Sequence, residues 1–167
     1  SEFEDAKSYK PNKADWLDGT WTGFQTASIG ARKGKTSSLK EDLQLIGRQI
    51  HEIPKNFTIH KRIKKIYNQR HNSIEEGKNI DWATAESLAF ATLLKQGFGV
   101  RLSGQDVGRG TFSHRHAVLY DQENENRFVP LRHFTKDQGL FEIVDSFLSE
   151  FGVLGFEYGY SQADPKT

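Results

Sequence analysis

From residue 38 onward, the apolar positions fall into helical register. Leu39, Leu43, Ile46 and Ile50 recur at spacings of four and three, which places them on one face of a helix. Ser38 stands before this run and Glu41 follows three residues later, the pattern of a capping box. Pro54 closes the run. A second helix is expected over His60 to Glu76. Ile63, Ile66, Tyr67, Arg70 and Ile74 mark one of its faces, and Lys61, Arg62, Lys64 and Lys65 mark the other. A third is expected from Trp82 to Lys95, capped by Asp81 and stopped by Gly97. It is apolar almost all round, with Ala83, Ala85, Ala89 and Ala91 permitting close approach. Such a helix is buried on more than one side.

The period then changes. Val100-Arg101-Leu102 reads as a short strand that ends at Ser103-Gly104. A helix is expected from about Thr111 to Tyr120, then a polar turn over Asp121 to Asn126. Arg127 to Leu131 reads as an extended piece broken by Pro130, and Glu142-Ile143-Val144 as a second strand. A last helix starts at Glu150 and runs through Gly159. Its glycines, Gly152, Gly155 and Gly159, share one face. Each costs about 1 kcal/mol against Ala, so the stripe predicts another backbone packed very close.

Helix, glycine turn, strand and polar loop form the repeating unit of an α/β domain. Residues 1–35 show no period; Trp16 to Trp21 reads as a turn between two aromatics, and Gly30 to Lys35 as a basic loop. The organisation predicted is a connecting segment over 1–78, irregular and then helical, and the start of an α/β domain over 79–167.

Composition narrows the functional classes. The 167 residues carry a formal net charge of +1, which points to neither nucleic acid nor an acidic partner. The basic face of the second helix reads first as a solvated face. There is no Cys, so disulfides and thiolate metal sites are excluded. No apolar run approaches the roughly 20 residues that span a bilayer. No Met occurs, not even at position 1, and the chain is expected to be a segment of something longer.

Three motifs fail on inspection. Gly34-Lys35-Thr36 matches the end of a phosphate-binding loop, but Ile29 stands where its first Gly belongs. Gly108-x-Gly110 lacks the third Gly of a dinucleotide loop, since Ser113 is there. His114 and His116 lie two apart, a spacing that does not face one ligand from a helix, so no metal site is predicted.

In α/β domains, sites form at the carboxyl ends of strands. Two loops there hold the candidate chemistry. The first, Ser103 to His116, is dense in donors, charges and glycines. Its plain reading is a surface loop in which Asp106 pairs with Arg109 and Thr111 caps the next helix. The second is Leu148-Ser149-Glu150-Phe151-Gly152. Its plain reading is a carboxylate favoured by a helix start. Its chemical reading is a Glu in an apolar pocket, where burial favours the protonated form and lets it share a proton with a ligand nitrogen. The residues alone leave both readings open.

Several blocks carry a resemblance. They are Asp81-Trp82-Ala83, Arg101 to Asp106, Arg109 to Leu119, Leu148-Ser149-Glu150 and Leu154 to Gly159. In this order and spacing they resemble the decarboxylating component of 2-oxoglutarate dehydrogenase, and the similar 2-oxoadipate dehydrogenase component. The likeness covers roughly residues 10–167.

The resemblance implies the N-terminal part of a three-layer, transketolase-like pyrimidine-binding domain, an α/β fold. It implies thiamine diphosphate as cofactor, with magnesium bound by residues outside this chain. The implied reaction is decarboxylation of a 2-oxo acid and transfer of the acyl group to a lipoyl carrier. The implied partners are a homodimer mate and a lipoyl-bearing dihydrolipoamide succinyltransferase, with no nucleic acid and no membrane. The compartment implied is the mitochondrial matrix in a eukaryote and the cytoplasm in a bacterium.

By the same resemblance, Glu150 contacts the aminopyrimidine ring. A Glu bonded to that ring's nitrogen turns the neighbouring amino group into an internal base. Gln105 reaches cofactor or intermediate from the facing loop, and Leu148 makes an apolar contact with the ring. Asp106, Arg109, Thr111 and His114 hold the loop. The other class considered is a stand-alone interaction or regulatory fragment that uses the basic helix around Lys61–Lys65.

Overall fold

The structure, a computed structural model, describes residues 7–8, 23, 25–30, 34–146 and 149–165. Expectations on Trp16 to Trp21, Arg32, Lys33, Phe147 and Leu148 lie outside the described residues.

Helix α1 runs Lys40–His51. Its start corrects the capping-box reading. Leu39, in extended conformation and with no side-chain cap, occupies the N-cap position, so Ser38 stands one residue too early to reach the first turn. The carbonyl of Leu39 instead accepts from the amide of Leu43 at 3.1 Å. Helix α2 runs Lys61–Glu76, and the Nδ1 of His60 accepts from the amide of Arg62 at 3.3 Å. It stops at Gly77, whose φ of 69° is the left-handed conformation glycine tolerates. Tyr67, Arg70 and Ile74 are buried, while Lys61, Arg62, Lys64 and Lys65 are exposed. Close packing of α1 on α2 needs Gly47, where a Cβ would lie 2.6 Å from Ile74 Cγ2.

Helix α3 runs Trp82–Lys95 as expected, and Asp81 Oδ1 accepts from the amide of Thr84 at 2.7 Å. Losing that cap in Asp81→Ala is expected to lower stability by about 1 kcal/mol, read as a shift in the urea midpoint. Ala83, Thr84, Leu88, Ala91 and Leu94 are buried.

Strand β1 (Val100–Gly104) pairs in parallel with the strand at Phe141–Asp145, with Val100 opposite Phe141 and Gly104 opposite Asp145. Between them lie β2 (Leu119–Tyr120) and β3 (Arg127–Phe128), an antiparallel pair around the Asp121 turn. A 3-10 helix, Pro130–Arg132, follows, and the Phe141–Asp145 strand is β4. Helix α4, Glu150–Ala163, closes the described chain.

The helix expected from Thr111 to Tyr120 does not form, and Thr111 caps nothing. Ser113 and His116 take positive φ values of 54° and 50°. The carbonyls a helix would use internally are taken from outside. Arg70 donates to the carbonyl of Arg115 at 2.9 Å and to that of His114, and the Tyr67 hydroxyl donates to the carbonyl of His116 at 2.8 Å. Charge-assisted donors of this kind outcompete a single helical turn.

One apolar core joins Ile46 and Ile50 of α1, Ile74 of α2, Leu88, Ala91 and Leu94 of α3, Val100 of β1, and Phe141 and Ile143 of β4. The helical part of 1–78 therefore shares its core with the α/β part. Successive side chains on a strand point to opposite faces. Val100 and Leu102 meet this core, while Arg101 and Ser103 reach α4. The sheet thus lies between a helical layer and α4, an α/β arrangement. No helix among the described residues is long and apolar enough to cross a membrane.

The core edge also holds a titration. His51 packs edge-on to Tyr67, with ring centroids 5.2 Å apart, and a ring nitrogen bonds the carbonyl of Gly47 at 2.8 Å. Burial lowers its pKa from 6.5 to about 4. The neutral form is the one the fold favours, so its contribution is full above pH 6.5 and is lost as pH falls toward 4. Acidifying from pH 6.5 to 5 is expected to cost about 2 kcal/mol of stability. His51→Gln should flatten that slope in urea unfolding across the same pH range.

Candidate functional site

Parallel pairing puts the carboxyl ends of β1 and β4 at the same edge of the sheet, and the two following segments are stitched there. Ser146 donates its amide to the carbonyl of Gly104 at 2.8 Å. Asp145 Oδ1 accepts from the amide of Gly108 at 3.0 Å. Gly104 itself has a φ of 147°, and a Cβ there would press on Val107 Cγ1 at 3.1 Å. The chain turns sharply at this point and leads directly into Gln105.

The first turn of α4 faces that corner. Ser149 caps it, with Oγ accepting from the amide of Gly152 at 3.4 Å. Between corner and helix lies a cleft of about 290 Å³, lined by Ser103, Gly104, Gln105, Glu150, Val153 and Leu154. Glu150 and Gln105, 45 positions apart in sequence, both line it. The cleft joins a carboxylate, an amide and an apolar wall, the donor set that suits a flat heteroaromatic ring with nitrogen acceptors and amine donors.

The apolar enclosure expected around Glu150 is not formed by the described residues. Glu150 is exposed, and Phe151 is 88% exposed. The reason is that no residue of α4 is fully buried against the described residues. Nothing lies within 4 Å of a Cβ built at Gly155 or Gly159, so the close backbone partner expected along the glycine stripe is not supplied by the described residues either.

The rest of the first loop points elsewhere. Asp106 and Arg109 form the expected ion pair, with Arg109 Nε 3.4 Å from Asp106 Oδ1 and a second bond from Nη2 to Oδ2. They line a separate cleft of about 460 Å³ against Ile59, His60 and Ile63 at the start of α2. His114 lines a third, of about 810 Å³, with Arg70, Asp81 and Trp82. Thr111 is exposed. The structure therefore places Gln105 and Glu150 on one cleft, whereas Asp106 and Arg109 line a second and His114 a third. The Asp106–Arg109 pair ties the loop to itself, and Arg115, to which the sequence assigned no role, anchors it to α3. Arg115 bonds Glu86 of α3 at 2.5 and 3.2 Å and the carbonyl of Val107 at 3.0 Å.

A second omission is Glu157. Its Oε1 accepts from Ser103 Oγ at 2.6 Å and from Arg101 Nε at 3.0 Å, and Arg101 Nη1 also meets Glu142 Oε2 at 2.6 Å. Two signals for this were present. An Arg between the apolar Val100 and Leu102 must leave the core face, and Glu157 follows Glu150 by two helical turns. Among the described residues no cluster of three or more His, Asp or Glu is placed to hold a metal ion.

Residues 78–167 match the transketolase, pyrimidine binding domain family. Over 168 residues the chain is 54% identical to the 2-oxoglutarate dehydrogenase E1 component of Brucella canis and to that of Brucella suis. Over 169 residues it is 52% identical to that of Brucella anthropi. These alignments take in 99 to 100% of this chain and 17% of the relatives, so the chain spans about a sixth of their length.

Proposed function

The chain belongs to the transketolase pyrimidine-binding domain family, and from that premise we propose that its Glu150–Gln105 cleft receives the aminopyrimidine ring of thiamine diphosphate in a 2-oxoglutarate dehydrogenase E1 component. The observation that carries this reading is that a carboxylate and an amide line one cleft together with Val153 and Leu154. A carboxylic acid and an amide match the ring's nitrogen and amine edge, and the aliphatic side chains match its face. Bound there, the cofactor supplies the electron sink for decarboxylation of a 2-oxo acid.

The chain's own contributions follow from position. Glu150 stands at the first turn of α4, and its carboxyl holds a proton against the ring nitrogen. Gln105 donates through its amide nitrogen or accepts through its amide oxygen at the facing edge. Val153 and Leu154 line one side of the cleft and offer an apolar surface to the ring's face. The diphosphate and magnesium are held by residues beyond this chain. The E1 names of the relatives support 2-oxoglutarate as the substrate, and we propose a lipoyl-bearing succinyltransferase as the acyl acceptor. The uncovered face of α4 supports a second protomer that completes the cleft.

The test is cofactor affinity in the full-length protein. Gln105→Ala is expected to weaken thiamine diphosphate binding by about tenfold, the worth of one hydrogen bond to a polar ligand edge, measured by titration in the presence of magnesium. Unchanged affinity in both Gln105→Ala and Glu150→Gln would place the ring elsewhere.

A further inference from the structure

We infer that Glu157 is a positioning residue for Glu150: it fixes the register of α4 on β1, and so sets where the Glu150 carboxyl stands relative to Gln105. The inference rests on the reading of the cleft given above.

A helix normally takes its position from the apolar face it buries. Helix α4 buries no residue against the described chain, and Phe151, Leu154, Phe156 and Tyr158 are exposed. What ties it to the sheet is polar. Glu157 Oε1 accepts two bonds from alternate residues of β1, Ser103 and Arg101. Arg101 is itself held by its cross-strand neighbour Glu142. Its guanidinium lies 5.4 Å from the ring centroid of Phe156 and 5.0 Å from that of Tyr160. The side chains of Arg101 and Glu157 are 15% and 29% exposed. They are therefore less screened than a surface pair, and their bonds are of the strong, charge-assisted kind.

The clamp sits where it controls the cleft. Ser103 is two residues before Gln105 on the same strand end, and Glu157 is seven residues after Glu150. Seven residues are two turns, so both carboxyls lie on the helix face that meets β1. A one-residue slip rotates the helix by about 100° and carries Glu150 out of the cleft. The exposed apolar side chains Phe151, Leu154 and Tyr158 do not oppose such a slip, because no described residue buries them. One polar clamp therefore fixes both walls at once, with Gln105 on the strand side and Glu150 on the helix side.

The experiment uses the full-length protein with thiamine diphosphate, magnesium and 2-oxoglutarate. Glu157→Ala, Glu157→Gln and Ser103→Ala are compared with Glu150→Gln. Three quantities are read: kcat against KM, the pH profile of the near-ultraviolet circular dichroism of the bound cofactor, and Tm. Glu157→Ala is expected to lower kcat by at least about tenfold, since small misplacement of a reacting group is costly, with KM for 2-oxoglutarate little changed. The midpoint of its dichroism profile should move toward that of Glu150→Gln. Glu157→Gln keeps an acceptor for Ser103 and Arg101 and should recover most of the loss.

An unchanged kcat and dichroism profile in Glu157→Ala, or a change in Tm alone, overturns the inference. Should Glu157→Ala not fold, Ser103→Ala decides. A several-fold loss of kcat with the dichroism shift and unaltered Tm supports the clamp, and wild-type values refute it. If Glu150→Gln itself keeps the wild-type profile and rate, the cleft reading fails and the positioning role falls with it. If only Glu150→Gln is altered, the cleft stands and the positioning role alone is refuted.

Discussion

Replacing Glu150 by Gln in the full-length protein is expected to lower 2-oxo acid decarboxylation by about 100- to 1,000-fold, the usual worth of a positioned proton-transfer group. Gln has the same reach and volume, so the shape of the cleft beside Val153 and Leu154 is kept. What disappears is the group proposed to hold a proton at the ring nitrogen. An amide can still donate one hydrogen bond there, but it carries no titrating proton, so geometry survives and chemistry does not. The split should therefore fall on kcat, with KM for the 2-oxo acid close to wild type, because the proposed contact of Gln105 with the ring is left in place. Steady-state decarboxylation assays decide the matter, and undiminished kcat in Glu150→Gln would remove Glu150 from the reaction.

The second large effect is structural. Gly139→Ala is expected to destabilise the fold by about 3 kcal/mol or more, at the upper end for forced overpacking. A Cβ at Gly139 would sit 1.9 Å from the carbonyl oxygen of Phe98 and 2.5 Å from its carbonyl carbon. Both atoms are backbone, so no rotamer change relieves the clash. Nor does the segment have room to withdraw. The amide of Gly139 donates to the carbonyl of Leu94 at 2.8 Å, and two residues later Phe141 enters the core. The turn over Gly97 and Phe98 that ends α3 would have to shift, and with it the start of β1. Gly97→Ala clashes with nothing within 4 Å but sits at φ 86°, and should cost only about 1 kcal/mol. Comparing urea midpoints of the two variants separates close approach from backbone conformation.

Much of this was legible in the chain because it is local. Helices α2 and α3 follow from apolar spacing plus a cap and a glycine stop, as Asp81 and Gly77 illustrate. The two parallel strands follow from short apolar runs bounded by Gly and polar residues. The segment from Thr111 to Tyr120 was misread because its conformation is imposed from afar. Arg70 and Tyr67 stand more than 40 positions upstream, and a propensity reading weighs only neighbours. The helix start at Lys40 was missed by one residue, since Leu39 offers the extended backbone of a cap without its side chain.

The site divides in the same way. Gln105 and Glu150 were singled out by resemblance and by their place at strand ends, and the parallel register then explains why they line one cleft. Asp106 and Arg109 were adjacent enough for their pairing to be read directly. Glu157 was not legible, because its role depends on which face of β1 meets α4, and that is set by the core on the other face of the sheet. Of the apolar residues expected around Glu150, Phe151 turns outward from the helix that carries it, while Phe147 and Leu148 lie outside the described residues.

The hold of α2 on the Arg109 to His116 segment bears on how this protein can be divided. Tyr67 and Arg70 occupy three successive carbonyls there, of His114, Arg115 and His116. Family membership begins at residue 78, just past the end of α2, which makes that position an inviting place to cut. A piece cut there would keep every described strand and both candidate cleft residues, yet release those three carbonyls to water and strip the core of Ile46, Ile50 and Ile74. The smallest part that preserves the corner at Gly104 therefore starts before α1, near residue 38, and a recombinant fragment or a domain exchange should respect that limit rather than the family boundary.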